Sequence, residues 1–326
     1  MLATISVLIV NYNGEKYIKD TILSCINAFN RQGYNDYEIL VLDNASYDNS
    51  NEQIVSAQVE SECSKVKLFF SKENLGFAKG CNYLARKATG QILYLLNNDT
   101  YSIDLKELTY LIGKNEFKCN SLWAIKTLNK DKTRQNNVFT YPSRIKFVIE
   151  MLLLKNLLFR FKKNSPDVTT EKLENKYFSG CALLISTETF LSVGGFDENF
   201  YFYHEECDLF LNVQKKWKDD VDKRLLSDEL IHFGGGGGVI SEYSFIAYYT
   251  NLYRLYLKHS LFSKNAINFL FKLSLFIKII LYRLKVNYSY SPFTKTYKHL
   301  EQERSIDEVY DLQKKLHKNI DSEFKK

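Results

Sequence analysis

Apolar and polar positions alternate in blocks along the first hundred residues. Ile5-Ser-Val-Leu-Ile-Val10 is a nearly unbroken, β-branched apolar run, the pattern of a strand covered on both faces. It breaks at Asn11-Tyr-Asn-Gly14, after which residues 17–29 show helical periodicity. Glu38-Ile-Leu-Val-Leu42 repeats the strand pattern and ends at Asp43-Asn-Ala-Ser46, ahead of a helix over 50–59. Val66-Lys-Leu-Phe-Phe70 predicts a third strand, followed by Asn74-Leu-Gly-Phe-Ala-Lys-Gly80 and a helix to about Lys87. Ile92-Leu-Tyr-Leu-Leu96 predicts a fourth, which stops at Asn97-Asn-Asp99. Strand, loop and helix repeated in this way predict an α/β fold: a mostly parallel, Rossmann-like sheet flanked by helices. In such sheets ligands bind at the carboxyl ends of the strands. The predicted strands end in Asn11 and Asn13, Asp43, Asn74 and Asp99. Turn chemistry alone supplies some Asn and Asp, but four successive polar edges on one side are what a nucleotide pocket requires.

Beyond residue 100 the pattern is irregular. Tyr177-Phe-Ser-Gly-Cys-Ala-Leu-Leu-Ile185 reads as one strand, and Gly194-Gly-Phe-Asp197 as a turn. Ile231-His-Phe-Gly234 opens a run of five glycines to Gly238, a mobile or backbone-exposing loop. The tail from Glu301 is charged, helical in pattern and expected at the periphery. These signals place a catalytic-size domain at 1–240 and a helical, basic extension at 241–326. Residues 145–163 and 269–284 are apolar with interspersed Lys and Arg, and neither is a clean membrane span. Both fit amphipathic helices lying on a membrane, and both equally fit core helices.

Composition narrows the classes. Hydrophobic residues at 45% and charged residues at 25% exclude a disordered chain. The net charge of +6 is unevenly spread: residues 243–300 hold nine Lys or Arg and no Asp or Glu. That local positive field suits phosphate-bearing or anionic-membrane partners, or is a solvated helical face. No interleaved nucleic-acid motif accompanies it, so nucleic acid is not expected as a partner. Six cysteines without a C-x-x-C pair give neither a zinc site nor a disulfide scaffold. With an N-terminus that enters a strand at once, they lead to the expectation of a cytoplasmic protein with reduced thiols. A dinucleotide-dependent oxidoreductase lacks support, because Asn11-Tyr-Asn-Gly14 stands where G-x-G-x-x-G would follow the first strand.

Seven elements occur in order: Asn11-Tyr-Asn-Gly14, Asp43-Asn-Ala-Ser46, Asn74-Leu-Gly-Phe-Ala-x-Gly80-x-Asn82, Asn97-Asn-Asp99, Gly194-Gly-Phe-Asp-Glu198, Tyr203-His-Glu-Glu-Cys-Asp-Leu209 and His232-x-Gly-Gly. Together they resemble the family 2 glycosyltransferases of the GT-A fold, especially the bacterial rhamnosyltransferase-like branch, over about residues 4 to 260. The resemblance implies an inverting transferase that uses a UDP- or dTDP-linked sugar, with dTDP-rhamnose favoured by the branch. The implied acceptor is a glycan or lipid-linked glycan, at the inner face of the cell membrane, in cell-surface polysaccharide synthesis. A non-catalytic nucleotide-sugar or glycan-binding protein of the same fold is the alternative.

The resemblance also assigns residues. Asp43 takes the pyrimidine N–H, which a carboxylate accepts more strongly than a neutral group, with Asn11 and Asn13 framing base and ribose. Asn74, Gly76, Asn98 and Gly180 complete the expected donor contacts, Gly180 lying on the acceptor-side strand with room beside the sugar. Asp99 stands at the Asp-x-Asp position, where Mg²⁺ or Mn²⁺ would neutralise the leaving diphosphate. Its usual partner is replaced here by Asn97, and His232 resembles the histidine that completes the metal shell. Within Glu205-Glu206-x-Asp208, Glu206 matches the base that takes the acceptor's proton, and Glu205 is second choice. Neighbouring carboxylates are expected to raise one pKa of the group. Each residue also has an ordinary reading: Asp43 as a helix N-cap, His232 as a loop residue, and the acidic cluster as a first helical turn stabilised by the dipole.

Overall fold

The computed structural model describes residues 4–61, 64–151, 173–234, 242–283 and 306–324. Strands β1 (Ile5–Asn11), β2 (Tyr37–Asp43), β3 (Val66–Phe70) and β4 (Ile92–Leu96) form where the apolar runs predict. Helices α1 (Ile18–Arg31), α2 (Ser50–Glu60) and α3 (Gly76–Ala85) connect them. β2 and β4 are buried at every position, as strands covered on both faces must be. β1 pairs in parallel with β2 and β4, and β2 with β3, which sets Asn11 directly opposite Asp43. α1 buries Ile18, Ile22, Cys25, Ile26 and Phe29, the stripe its 3.6-residue period requires.

Later strands complete an eight-stranded mixed sheet in the order β3-β2-β1-β4-β9-β6-β10-β5. These are β5 (Thr100–Ser102), β6 (Ser121–Leu128), β9 (Ala182–Ser186) and β10 (Asp222–His232), with α4 (Lys106–Gly113) between β5 and β6. β9 runs antiparallel to β4 and β6, and β5 antiparallel to β10. Leu96 therefore faces Ala182, and His232 faces Thr100, so the end of β4, the start of β9 and the end of β10 share one edge. Helices α6 (Thr187–Ser192) and α7 (Glu205–Trp217) follow β9.

The run 177–185 is two strands rather than one. β8 (Lys176–Phe178) pairs with β7 (Val138–Thr140) in a separate two-stranded sheet, and the chain enters the main sheet only at Ala182. Ser179-Gly180-Cys181 forms the crossing, with the Ser179 N–H donating to the Asn137 carbonyl at 3.0 Å. A glycine inside an apolar run marks such a break as readily as a bulge.

Of the described residues, 4–61, 64–140, 173–201 and 205–234 make one compact unit around the sheet. Residues 141–151, 202–204, 242–283 and 306–324 make a second, helical unit. Its helices are α5 (Arg144–Met151), α8 (Glu242–Lys258), α9 (Lys264–Arg283) and α10 (Ile306–Phe324). Phe147, Met151, Tyr253, Tyr256, Ile267 and Phe271 form its core, so both apolar basic segments contribute to a core. The tail expected at the periphery joins it, burying Leu316 and Ile320. Among the described residues no helix is long and apolar enough to cross a membrane. Residues 152–163, Leu284 and Gly235 to Gly238 of the segments singled out above, with Cys63, lie outside the described residues.

Candidate functional site

The ends of β1, β2 and β3 are tied together by side-chain amides. Asn11 is fully buried; its Nδ2 donates to Asp43 Oδ1 at 3.1 Å and to Ser46 Oγ at 3.3 Å. Its Oδ1 accepts from Asn98 Nδ2 at 2.8 Å. Gly14 permits this approach, since a Cβ there would stand 2.1 Å from Asn11 Oδ1 and 2.4 Å from Asn98 Nδ2. Asp43 does not cap α2, which begins at Ser50; its Oδ2 closes the 43–46 turn by accepting the Ser46 N–H at 3.1 Å. Asn13 holds a left-handed φ of 50°, donates its N–H to Ser46 Oγ at 2.9 Å and accepts the Tyr47 N–H at 3.0 Å. Asn74 Oδ1 accepts from Asn44 Nδ2 at 3.0 Å and from the Gly76 N–H at 2.9 Å. Gly76 has φ +75° and is covered by Tyr201, whose ring would lie 2.8 Å from a Cβ.

Next along the edge, Asp99 is buried and its Oδ1 lies 3.3 Å from His232 Nε2. Asn97 Nδ2 is also 3.3 Å from that nitrogen. Gln135 Oε1 meets His232 Nδ1 at 2.6 Å, and Gln135 Nε2 donates to the His232 carbonyl at 3.2 Å. An amide oxygen only accepts, so Nδ1 carries a proton and Nε2 is the nitrogen turned towards Asp99. Burial disfavours the charged ring, but Cys181 and Asp99 beside it outweigh that and hold the pKa at about 11. One carboxylate and one imidazole converge here, and no group of three His, Cys, Asp or Glu side chains placed to hold a metal ion occurs among the described residues. That donor set fits a divalent cation that takes few protein ligands and completes its shell with phosphate oxygens and water.

The Asn97 N–H donates to the Cys181 carbonyl at 3.0 Å, which fastens this loop to the start of β9. There the Gly180 N–H donates to Glu206 Oε1 at 3.0 Å. A Cβ on Gly180 would be 3.2 Å from Glu206 Cγ and from the Phe77 ring, so the glycine lets these two side chains pack closely against the crossing into β9. Glu205 is buried beside Glu206, and its Oε2 has no hydrogen-bond partner. Burial first, and then the Glu206 charge, push the Glu205 pKa up; burial also raises Glu206 against the pull of the Gly180 N–H. The expected rise in pKa is present, with desolvation rather than charge repulsion as the leading cause. Asp208 is fully buried and accepts from Asn212 Nδ2 at 3.1 Å within α7.

The first unit thus brings the expected residues to one edge of its sheet. Gln135 is a further member that the sequence reading did not find, because it lies in an irregular segment with no motif around it. Asn82 is another positioning group: it donates to the Phe196 carbonyl at 2.8 Å and accepts the Phe196 N–H at 2.9 Å, fixing the Gly194-Gly195 turn.

Three comparisons bear on this arrangement. An uncharacterized glycosyltransferase of Rickettsia typhi is 27% identical over 228 residues, or 70% of this chain and 64% of its own. An uncharacterized glycosyltransferase of Haemophilus influenzae is 35% identical over 97 residues, or 30% of this chain and 36% of its own. The chain therefore spans less than two thirds of either relative. The mannosyltransferase PcManGT from Pyrobaculum calidifontis, solved in complex with GDP-Man and Mn2+, superposes with a TM-score of 0.54 at 13% identity. That match covers 100% of this chain and 88% of PcManGT, and it speaks for the fold. The family model described as glycosyl transferase family 2 matches residues 6–169, half of the sequence, and with the GT-A-like α/β sheet it establishes that the chain belongs to the family 2 glycosyltransferases.

Proposed function

We propose that the chain transfers a sugar, with inversion, from a UDP- or dTDP-linked donor to a hydroxyl of a glycan or lipid-linked glycan. dTDP-rhamnose is the donor that the sequence resemblance favours. The observation that carries this reading is the Asn97–Cys181 hydrogen bond, which sets the Asp99–His232 pair beside the Gly180–Glu206 contact. A diphosphate-binding pair at the strand ends and a half-buried carboxylate on α7 match the two demands of the reaction.

Asp43 accepts the N–H of a uracil or thymine ring, with Asn11 and Ser46 orienting its carboxylate. Asn13 and Asn74 frame the nucleotide from the neighbouring loops. Asp99 and His232 would hold Mn²⁺ or Mg²⁺, which neutralises charge on the leaving diphosphate. Glu206 takes the acceptor hydroxyl's proton as the oxygen attacks the anomeric carbon from the face opposite the diphosphate. The C–O bond forms, the bond from the anomeric carbon to the phosphate oxygen breaks, and its electron pair leaves with the diphosphate. A pKa raised by burial suits Glu206 to accept a proton near neutrality, and its charge in turn raises the pKa of Glu205. We place the enzyme at the cytoplasmic face of a membrane, in polysaccharide synthesis. The positive field of residues 243–300 and the exposed Phe269, Phe276 and Ile280 of α9 support contact with anionic lipid.

Thermal-shift titration against UDP-, dTDP- and GDP-sugars with and without Mn²⁺ tests the donor, because a bound donor stabilises by mass action. The expected result is stabilisation by a pyrimidine donor, enhanced by the cation. Stabilisation by GDP-sugars alone would overturn the assignment of Asp43. Glu206→Gln is expected to lower kcat by about 100- to 10,000-fold with donor binding intact. Full turnover by that variant would remove Glu206 from the mechanism.

A further inference from the structure

The segment that follows β6 doubles back on itself. The Asn129 N–H donates to the Thr133 carbonyl and the Lys132 N–H to the Asn129 carbonyl, both at 2.8 Å, and Lys132 takes a left-handed φ of 62° to close the turn. Leu128 then bridges Arg134, and the Gln135 N–H donates to the Thr127 carbonyl at 2.9 Å. β6 pairs in parallel with β10, where Leu128 lies opposite Ile231. The turn therefore returns Gln135 to the end of β6, and its side chain reaches His232 on the neighbouring strand. Gln135, His232, Asp99 and Asn97 all belong to the sheet unit.

The Gln135 amide has one orientation open to it. A main-chain carbonyl only accepts, so the amide nitrogen must be the atom that faces the His232 carbonyl at 3.2 Å. The same Nε2 donates to Asn129 Oδ1 at 3.1 Å, which ties the amide to its own turn. Oε1 is thereby aimed at His232 Nδ1, 2.6 Å away. Gln135 thus grips both the main chain and the ring of His232. A ring turned over about its Cβ–Cγ bond would set a carbon against Oε1 and take Nε2 away from Asp99. With Nδ1 as the donor, Nε2 is the nitrogen left for Asp99 Oδ1 and Asn97 Nδ2, each at 3.3 Å. A histidine that ligates a metal through one nitrogen almost always donates the other N–H to a fixed acceptor, which sets the tautomer and raises ligand basicity.

We propose that Gln135 is a positioning residue for the divalent cation: by accepting the Nδ1 proton it turns the Nε2 lone pair of His232 towards the cation that Asp99 would hold. The inference rests on the reading of Asp99 and His232 as cation ligands. Gln135 itself touches neither cation nor sugar; it decides which edge of the imidazole meets them. An imidazole nitrogen suits Mn²⁺ better than Mg²⁺, which prefers oxygen and keeps its waters. Gln135 therefore sets a preference for Mn²⁺ as well as an affinity. Asp43, Asn11 and Asn13, which frame the base, bond to the 43–47 turn and not to Gln135.

The test titrates Mn²⁺ into the full chain in the presence of UDP, for the wild type, Gln135→Leu, Gln135→Glu and His232→Ala, with Mg²⁺ as competitor. Bound Mn²⁺ is read by EPR, the pulsed experiment reporting nitrogen coupling from a ligated imidazole, and melting temperature is the folding control. Gln135→Leu keeps the bulk but accepts no proton. It is expected to weaken Mn²⁺ binding by about 10- to 100-fold and to abolish the nitrogen coupling. Mg²⁺ binding should change by less than about threefold. Gln135→Glu retains an acceptor for Nδ1–H, and should keep the coupling and a Mn²⁺ affinity within about threefold of the wild type. Wild-type Mn²⁺ affinity or coupling in Gln135→Leu, an equal loss of Mn²⁺ and Mg²⁺, or a Gln135→Glu variant as weak as Gln135→Leu would each overturn the proposal. Wild-type Mn²⁺ binding and coupling in His232→Ala would instead overturn the reading of the cation site, and the two failures are distinct.

Discussion

Glu38 stands five residues before Asp43 on β2, at the amino end of the sheet. Ser6 Oγ donates to its Oε1 at 2.6 Å, the Thr89 N–H at 2.7 Å and Thr89 Oγ1 at 2.8 Å, while Lys67 Nζ reaches Oε2 at 2.7 Å. Burial raises its pKa, but the donors from Lys67, Ser6 and Thr89 prevail and hold it at about 2. A carboxylate whose folded-state pKa is depressed stabilises the fold fully above its unfolded-state pKa of about 4.3, and loses that contribution as pH falls through about 2. The contribution near neutrality is on the order of 3 kcal/mol. Glu38→Gln is therefore expected to lower the unfolding free energy by about that much at pH 7 and to flatten its pH dependence between about pH 5 and 2. Urea melts of both proteins at pH 7 and pH 3 check this; an unchanged slope with pH would refute it. The raised pKa of Glu205 is the opposite case, and the sequence showed it only in part. An acidic first helical turn reads as a solvated surface feature, and nothing in Glu205-Glu206 announces burial.

At the scale of elements, β10 delivers His232 to the site, and a lock four residues earlier fixes that strand. Its pairing with β6 shifts register between Leu226 and Glu229, a bulge that frees Ser227 and Asp228 to reach α4. Asp228 accepts the N–H groups of Glu107 at 2.8 Å and Leu108 at 2.7 Å, and Glu107 Oε2 accepts the Ser227 N–H at 2.5 Å. Asp228→Ala is expected to cost about 1–2 kcal/mol, as removal of a helix cap does. Calorimetry would show a melting point a few degrees lower; no change would mean that the lock is slack. The four parallel strands and their polar ends were legible because buried parallel strands are continuous apolar runs and turn residues punctuate them. The division of 177–185 between two sheets was not, because Gly180 leaves the apolar pattern intact while letting the chain change partners. Gln135 escaped for a related reason. It acts through hydrogen bonds to His232, far along the chain, and a lone amide in an irregular stretch carries no periodic signal.

At the scale of the whole molecule, the helical unit has its own core, yet α9 leaves Phe269, Phe276 and Ile280 exposed at helical spacing. With no acidic residue between 243 and 300, that face suits anionic lipid. Flotation with vesicles containing anionic lipid is expected to carry the protein up, neutral vesicles much less, and high salt should weaken binding. Phe269→Ser combined with Phe276→Ser should reduce binding by about tenfold or more. Equal recovery with neutral vesicles, or no effect of the double substitution, would refute membrane contact through this face. The Glu38 clamp has a consequence for descent as well as for stability. It lies about 17 Å from Asp43 along β2, far enough that changes at the two ends combine independently. Residues 11–14, 43–46 and 74–76 can therefore drift under selection for a new nucleotide sugar while Ser6, Glu38, Lys67 and Thr89 keep the framework intact. A fold stabilised at one end of its sheet and varied at the other can diversify its donors without passing through unstable ancestors.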